Sequence, residues 1–117
     1  MSDASPKTTE SPAPTPFPSL PPLDPVAVMF ALGSSFRWPV IQLLADGREM
    51  SISEGAAWAR CTVMNFSKHL GVMLDAGIVD CRRGVDRRQT MFFIPAVRRQ
   101  TPGVIDYGFC KLTVPST

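Results

Sequence analysis

The chain has one histidine among 117 residues, and its three cysteines form no CxxC pair. A zinc site of the usual composition needs about three or four converging ligands, so neither a metal nor a cofactor is expected. Cys61, Cys81 and Cys110 are odd in number and widely spaced. They read most simply as small, buried hydrophobes in a chain that keeps its thiols reduced. Arg82 and Arg83 would lower the thiolate pKa of an exposed Cys81, but packing in a sheet is the favoured reading there. Also missing are a glycine-rich phosphate loop, a nucleophile elbow and paired catalytic carboxylates, so the sequence offers no equipment for an enzyme. No long apolar run exists, so no membrane span is expected. No basic segment leads into an apolar one near the N-terminus, which argues against a secretory signal and for a cytoplasmic location.

Proline, by contrast, is plentiful and clustered. Pro6, Pro12, Pro14, Pro16, Pro18, Pro21 and Pro22 fall in a Ser/Thr/Pro-rich opening. Proline supplies no backbone N–H, and so polar a segment buries too little apolar surface to repay its ordering entropy. Residues 1–22 are expected to be a disordered arm with local polyproline character, leaving 23–114 as one domain.

Net charge is only +2, but its distribution is uneven. Between Arg60 and Arg99 eight cations (Arg60, Lys68, Arg82, Arg83, Arg87, Arg88, Arg98 and Arg99) face three carboxylates, Asp75, Asp80 and Asp86. Such a local excess suits a phosphate backbone, although a solvated charged surface looks the same.

Asp24-Pro25 opens a first helix, a carboxylate cap followed by proline at the first helical position. It should run to about Leu32, bury Val26, Met29 and Phe30, and stop at Gly33. Ser34 or Ser35 caps a second helix to about Ala45, with Trp38, Ile41, Leu43 and Leu44 as its apolar surface and Pro39 in its first turn. Met50-Ser51-Ile52 can form a short strand. Ser51 or Ser53 then caps a third helix over Glu54–Ala59, in which Gly55 costs roughly 1 kcal/mol relative to alanine.

The break at Ala59-Arg60-Cys61 precedes Thr62, a hydroxyl suited to cap a fourth helix. Phe66, Leu70, Met73 and Leu74 then recur at helical period, an apolar stripe, and Gly77 ends the helix. Its other face carries Met64, Asn65, Ser67 and Lys68. Two strands follow, Ile78-Val79-Asp80-Cys81 and Thr90-Met91-Phe92-Phe93-Ile94, joined by the polar stretch from Arg82 to Gln89 as an arginine-tipped hairpin. Residues 104–114 look extended, pairing either within the chain or across a dimer. Two helices about a tight turn form a helix-turn-helix pattern, whose second helix enters the major groove of DNA.

The run Ser67-Lys68-His69-Leu70, then Val72 to Val79, is similar to the S-[RK]-H-L-x-V-L-x-x-A-G-[LIV]-V run of ArsR-type bacterial repressors. Glu54 and Ala56 take the places of E and A in that family's E-L-A. The resemblance covers residues 24–94, with MarR-like proteins as a more distant likeness. It implies a mainly α fold with a small β-hairpin wing (α+β), the winged helix-turn-helix, and a homodimer formed through the first and last helices. The chain departs from the pattern in five ways. Gly55 and Ala59 replace leucines, which leaves the third helix underpacked unless Trp58 fills in. Arg60 replaces the turn glycine, and Cys61 a leucine. Gly71 stands where a basic residue is common, and the metal sensors' paired cysteines have no counterpart.

These readings make double-stranded DNA the expected partner. Asn65 is the candidate for adenine readout, with Val63 and Met64 against thymine methyls. Thr62, Ser67 and Lys68 would hold phosphates, Thr62 being equally a plain cap. His69 is a surface hydrogen-bond donor on that helix, and Arg82, Arg83, Arg87 and Arg88 would grip the backbone as a wing. The expected output is a repressor of unknown effector. The competing expectation is a winged-helix module that binds a protein partner and no DNA.

Overall fold

The computed structural model describes residues 22–85 and 89–115. Residues 1–21 of the expected arm, and residues 86–88 of the expected wing, which include Arg87 and Arg88, lie outside the described residues.

Four helices and a small sheet follow in the expected order, and each helix is set by a local signal. Asp24 Oδ1 accepts from Val26 N at 3.1 Å and opens α1 (Pro25–Leu32) with proline at its start. Ser34 Oγ accepts from both Phe36 N and Arg37 N at 3.1 Å and turns the chain into α2 (Arg37–Leu44). The two helices meet at 99°. Of the two caps considered for the third helix, Ser51 is used. It builds a full capping box with Glu54, and α3 starts earlier than expected, spanning Ile52–Ala59. Thr62 Oγ1 accepts from Asn65 N at 3.1 Å and opens α4 (Val63–Asp75).

Both α3 and α4 end in the same bond pattern. Cys61 N donates to Ala56 O and Arg60 N to Ala57 O, just as Ile78 N donates to Met73 O and Gly77 N to Leu74 O. The reversal needs a left-handed residue. Gly77 supplies it at φ 78, and Arg60 does so at φ 58 without being glycine.

Three strands form the wing sheet in the order β1-β3-β2, all antiparallel: β1 (Met50–Ser51), β3 (Thr90–Phe93) and β2 (Asp80–Arg83). β2 begins two residues later than expected, because Ile78 and Val79 are buried in the turn out of α4. The tail pairs with itself. After a 3-10 turn at Ala96–Arg98, β4 (Val104–Asp106) and β5 (Lys111–Thr113) make a separate hairpin. It is seated by buried Ile105 and Tyr107, whose phenol burial pushes well above its ordinary pKa.

The core joins Val28 and Ala31 of α1, Val40, Ile41 and Leu44 of α2, Phe66, Leu70 and Met73 of α4, and Phe92 and Ile94 from the sheet. Three expectations are corrected here. Val26, Met29 and Phe30 are 76%, 63% and 66% exposed, because α1 turns its small residues inward and its large ones out. Cys81 is exposed rather than packed, lying on an edge strand with all four residues exposed, and Cys61 and Cys110 are only half-buried. Trp58 does not fill α3. It is 45% exposed and lines an open groove of about 650 Å³ with Pro39, Leu43 and Val114.

Candidate nucleic-acid interface

What fills α3 comes from α4. A Cβ built on Gly55 would lie 2.4 Å from Phe66 Cζ and 3.0 Å from Phe92 Cζ, so the missing side chain is the space the Phe66 ring occupies. Phe66 in turn packs on Phe92, centroids 5.5 Å apart, and on Phe36 at 6.2 Å. Both separations are those of favourable tilted aromatic pairs. With Phe66 and Met73 fully buried and Leu70 nearly so, the inward side of α4 is fixed by three elements at once.

The outward side is correspondingly determined. Val63 is 51% and Met64 73% exposed, and Thr62, Asn65, Ser67 and Lys68 are exposed with them. Thr62 spends its hydroxyl as an acceptor on the cap, which leaves its own O–H free to donate. The face therefore offers an amide, two hydroxyls, an ammonium and two apolar groups within the first two turns of a helix. That is the donor, acceptor and methyl-contacting repertoire by which base edges and phosphates are addressed.

His69 follows Asn65 at helical spacing but is less open than Asn65 and Lys68. It is half-buried, its ring stacked on Phe36 at 4.0 Å and 18°, with Nδ1 3.0 Å from Arg37 Nη1. Burial first, then the Arg37 charge, hold its imidazole below the ordinary pKa. An imidazole so engaged toward α2 has its Nδ1 and one ring face occupied.

The wing divides its arginines. Arg82 pairs with Glu49 and also donates to Arg83 O at 2.9 Å. Arg83 is exposed on the same strand. Gly84 N donates to Gln89 O at 3.0 Å and closes the hairpin below the tip. The arginines at the far end of the basic stretch serve structure: Arg98 is 8% exposed and reaches Asp106 O, and Arg99 Nε donates to Ile94 O at 2.8 Å. Among the described residues no three His, Cys, Asp or Glu side chains converge.

Reading residues in order overlooked two partners, Glu49 and Arg37. Glu49 meets a residue 33 positions away. Arg37 is 8% exposed and bonds α1 and α4 together. The available signal was an arginine between Phe36 and Trp38 at the start of a mainly apolar helix, a position that demands partners for a buried charge.

No protein-family model and no curated protein matches the chain. Solved structures do. HlyU from Vibrio cholerae is 19% identical with a TM-score of 0.56, the match covering 64% of this chain and 78% of that one. The transcriptional repressor BigR from Xylella fastidiosa is 23% identical with a TM-score of 0.53, over 63% and 72% of the two chains. RHA00566, an ArsR family transcriptional regulator, gives 22% and 0.53 over 62% and 71%. At such identities the likeness is one of fold, and the described chain has the winged helix-turn-helix fold of the ArsR-type regulators.

Proposed function

We propose that the chain is a sequence-specific DNA-binding regulator of transcription and that it represses by occupying promoter DNA. The observation that carries this reading is the solvent-open side of α4, held rigidly from behind by Phe66 in the Gly55 gap. In this reading α4 lies in the major groove, and Asn65 pairs its amide with an adenine edge while Val63 and Met64 meet thymine methyls. Thr62, Ser67 and Lys68 bind flanking phosphates and set the register. Arg83, with Arg87 and Arg88 of the tip, adds wing contacts to the backbone. Arg82 contributes once Glu49 releases it. His69 is left out because Arg37 and Phe36 already engage its ring.

The exposed Val26, Met29 and Phe30 give α1 an apolar face that supports a homodimer, a second copy covering it through the same patch. Two copies would then read half-sites about one helical turn apart.

The test is recovery of genomic DNA fragments by the purified chain at two salt concentrations, followed by titration of the best fragment. The affinity should fall with salt by a log–log slope of roughly −0.9 for each phosphate neutralised. Asn65→Ala should cost roughly 1–3 kcal/mol of base discrimination, and Lys68→Ala should flatten the slope by about one phosphate without changing sequence preference. A chain that recovers no fragment and shows no salt-dependent affinity for duplex DNA is instead a winged-helix module for a protein partner.

A further inference from the structure

Arg37 makes three directed contacts, and they belong to two different helices. Its Nε donates to Ala31 O at 2.8 Å and its Nη2 to Phe30 O at 3.1 Å. Both carbonyls lie in the last turn of α1, where no intrahelical N–H remains for them, so the guanidinium serves as a cationic C-terminal cap. The third contact, from Nη1 to His69 Nδ1 at 3.0 Å, reaches the middle of α4 on the residue after Lys68. Arginine has no acceptor, so His69 must accept. Its proton therefore sits on Nε2 and the ring is neutral. The Phe30 ring lies under the same guanidinium at 5.3 Å, and Phe30 is one of the three large residues that α1 exposes.

We propose that Arg37 and His69 are positioning residues for the DNA-facing helix, a joint that fixes how α4 is carried relative to the exposed apolar face of α1. This rests on the DNA reading given above. The joint makes DNA recognition sensitive to whatever covers the α1 face, because the guanidinium touches both Phe30 and His69. It also requires an acceptor at position 69. An imidazolium has no lone pair to offer and would face Arg37 with like charge. The groups around the ring are Arg37 from α2, the neighbouring and exposed Lys68 on α4, and the carbonyls of Phe30 and Ala31 that hold Arg37 from α1. Among the described residues no carboxylate acts on it. Burial and Arg37 hold the folded pKa of His69 below its ordinary value. The stabilisation is therefore complete above the unfolded-state pKa and is lost as pH falls through the lowered one.

The test compares the full wild-type chain with His69→Gln, whose Oε1 accepts at any pH, and His69→Leu, which offers no acceptor. Affinity for the recovered DNA is measured from about pH 8 to about pH 5, the range in which histidine alone among ordinary side chains changes charge. Wild type should lose roughly tenfold or more in affinity at the acid end, the worth of one charge-assisted hydrogen bond. The glutamine variant should keep neutral-pH affinity throughout, and the leucine variant should be weak at every pH. Amide exchange in the last turn of α1 is followed in the same samples without DNA. Its protection, taken relative to the intrinsic exchange rate at each pH, should fall on acidification in wild type and not in His69→Gln. If the leucine variant binds like wild type, or the glutamine variant shares the acid loss, the joint has no positioning role. If no chain binds DNA but the exchange pattern holds, the DNA reading fails and the joint stands; an unchanged exchange pattern overturns the joint itself.

Discussion

The two helices of the helix-turn-helix, α3 and α4, share a plan and use it oppositely. Each has a glycine in its interior and ends on a left-handed residue. In α3 the interior glycine, Gly55, is buried under the Phe66 and Phe92 rings, and the terminal residue is Arg60. In α4 the interior glycine, Gly71, has nothing within 4 Å of where a Cβ would lie, and the terminal residue is Gly77. A helix pays the same entropic cost for glycine in both places. Only α3 recovers it, by letting α4 approach closely enough to lodge a phenyl ring. The supporting helix is thus the specialised one, and α4 keeps unused room at Gly71.

The strongest way to break this contrast is Gly55→Ala. Alanine would gain about 1 kcal/mol of helix propensity, but its Cβ meets ring atoms of Phe66 at 2.4 and 2.6 Å. Both rings are fully buried and cannot swing aside. Overpacking of that kind costs typically about 1–3 kcal/mol and occasionally more. With two ring atoms inside 3.0 Å the upper end of that range applies, and the expected net result is a loss of about 2 kcal/mol, read as a drop in thermal midpoint of roughly 10 °C for a domain this small. A variant as stable as wild type would mean that α3 and α4 are not pressed together through Phe66.

Arg60→Gly tests the helix ends. A non-glycine residue in the left-handed region costs roughly 1–2 kcal/mol, and glycine returns part of that gain through its freer unfolded chain. A net stabilisation of about 1 kcal/mol is expected by denaturant titration. No gain, or a loss, would show that the Arg60 side chain holds something the geometry alone does not require.

The contrast also separates what the sequence displayed from what it hid. Capping signals are local, so Asp24-Pro25, the Ser51–Glu54 pair, Thr62 and Gly77 marked the helix ends directly. The stripe of Phe66, Leu70 and Met73 likewise gave the inward side of α4, and with it the outward side. The facing of α1 was hidden because Pro25–Leu32 is apolar on every side, and periodicity cannot choose among equivalent faces. Gly55 read as a weakness because the ring that justifies it is eleven residues further on, in another helix. The Arg37–His69 and Arg82–Glu49 contacts bridge 32 and 33 residues, distances over which residue order carries no pairing information.

Gly71→Ala should stabilise by about 1 kcal/mol, since the helix gains the propensity difference and nothing lies within 4 Å of the added Cβ to obstruct it. Its measure is again the denaturant midpoint, and a loss instead would place an unseen neighbour against that side of α4.

The finest test uses the same opening for function. Gly71 follows Met64 and Lys68 at helical spacing, so it lies on the outward face that carries them. Gly71→Lys adds a cation there, and Gly71→Ala is its control for helix propensity. If α4 lies along the backbone of a duplex, the lysine should tighten binding a few-fold near physiological salt and steepen the log–log salt slope by roughly 0.9 relative to the alanine control. Sequence preference should not change, because a phosphate contact carries no base information. Equal slopes for the two variants would mean that the Met64–Lys68–Gly71 side is not beside phosphate. α4 would then have to dock in a different rotation, or against a different partner, with Phe66 still anchoring it from behind.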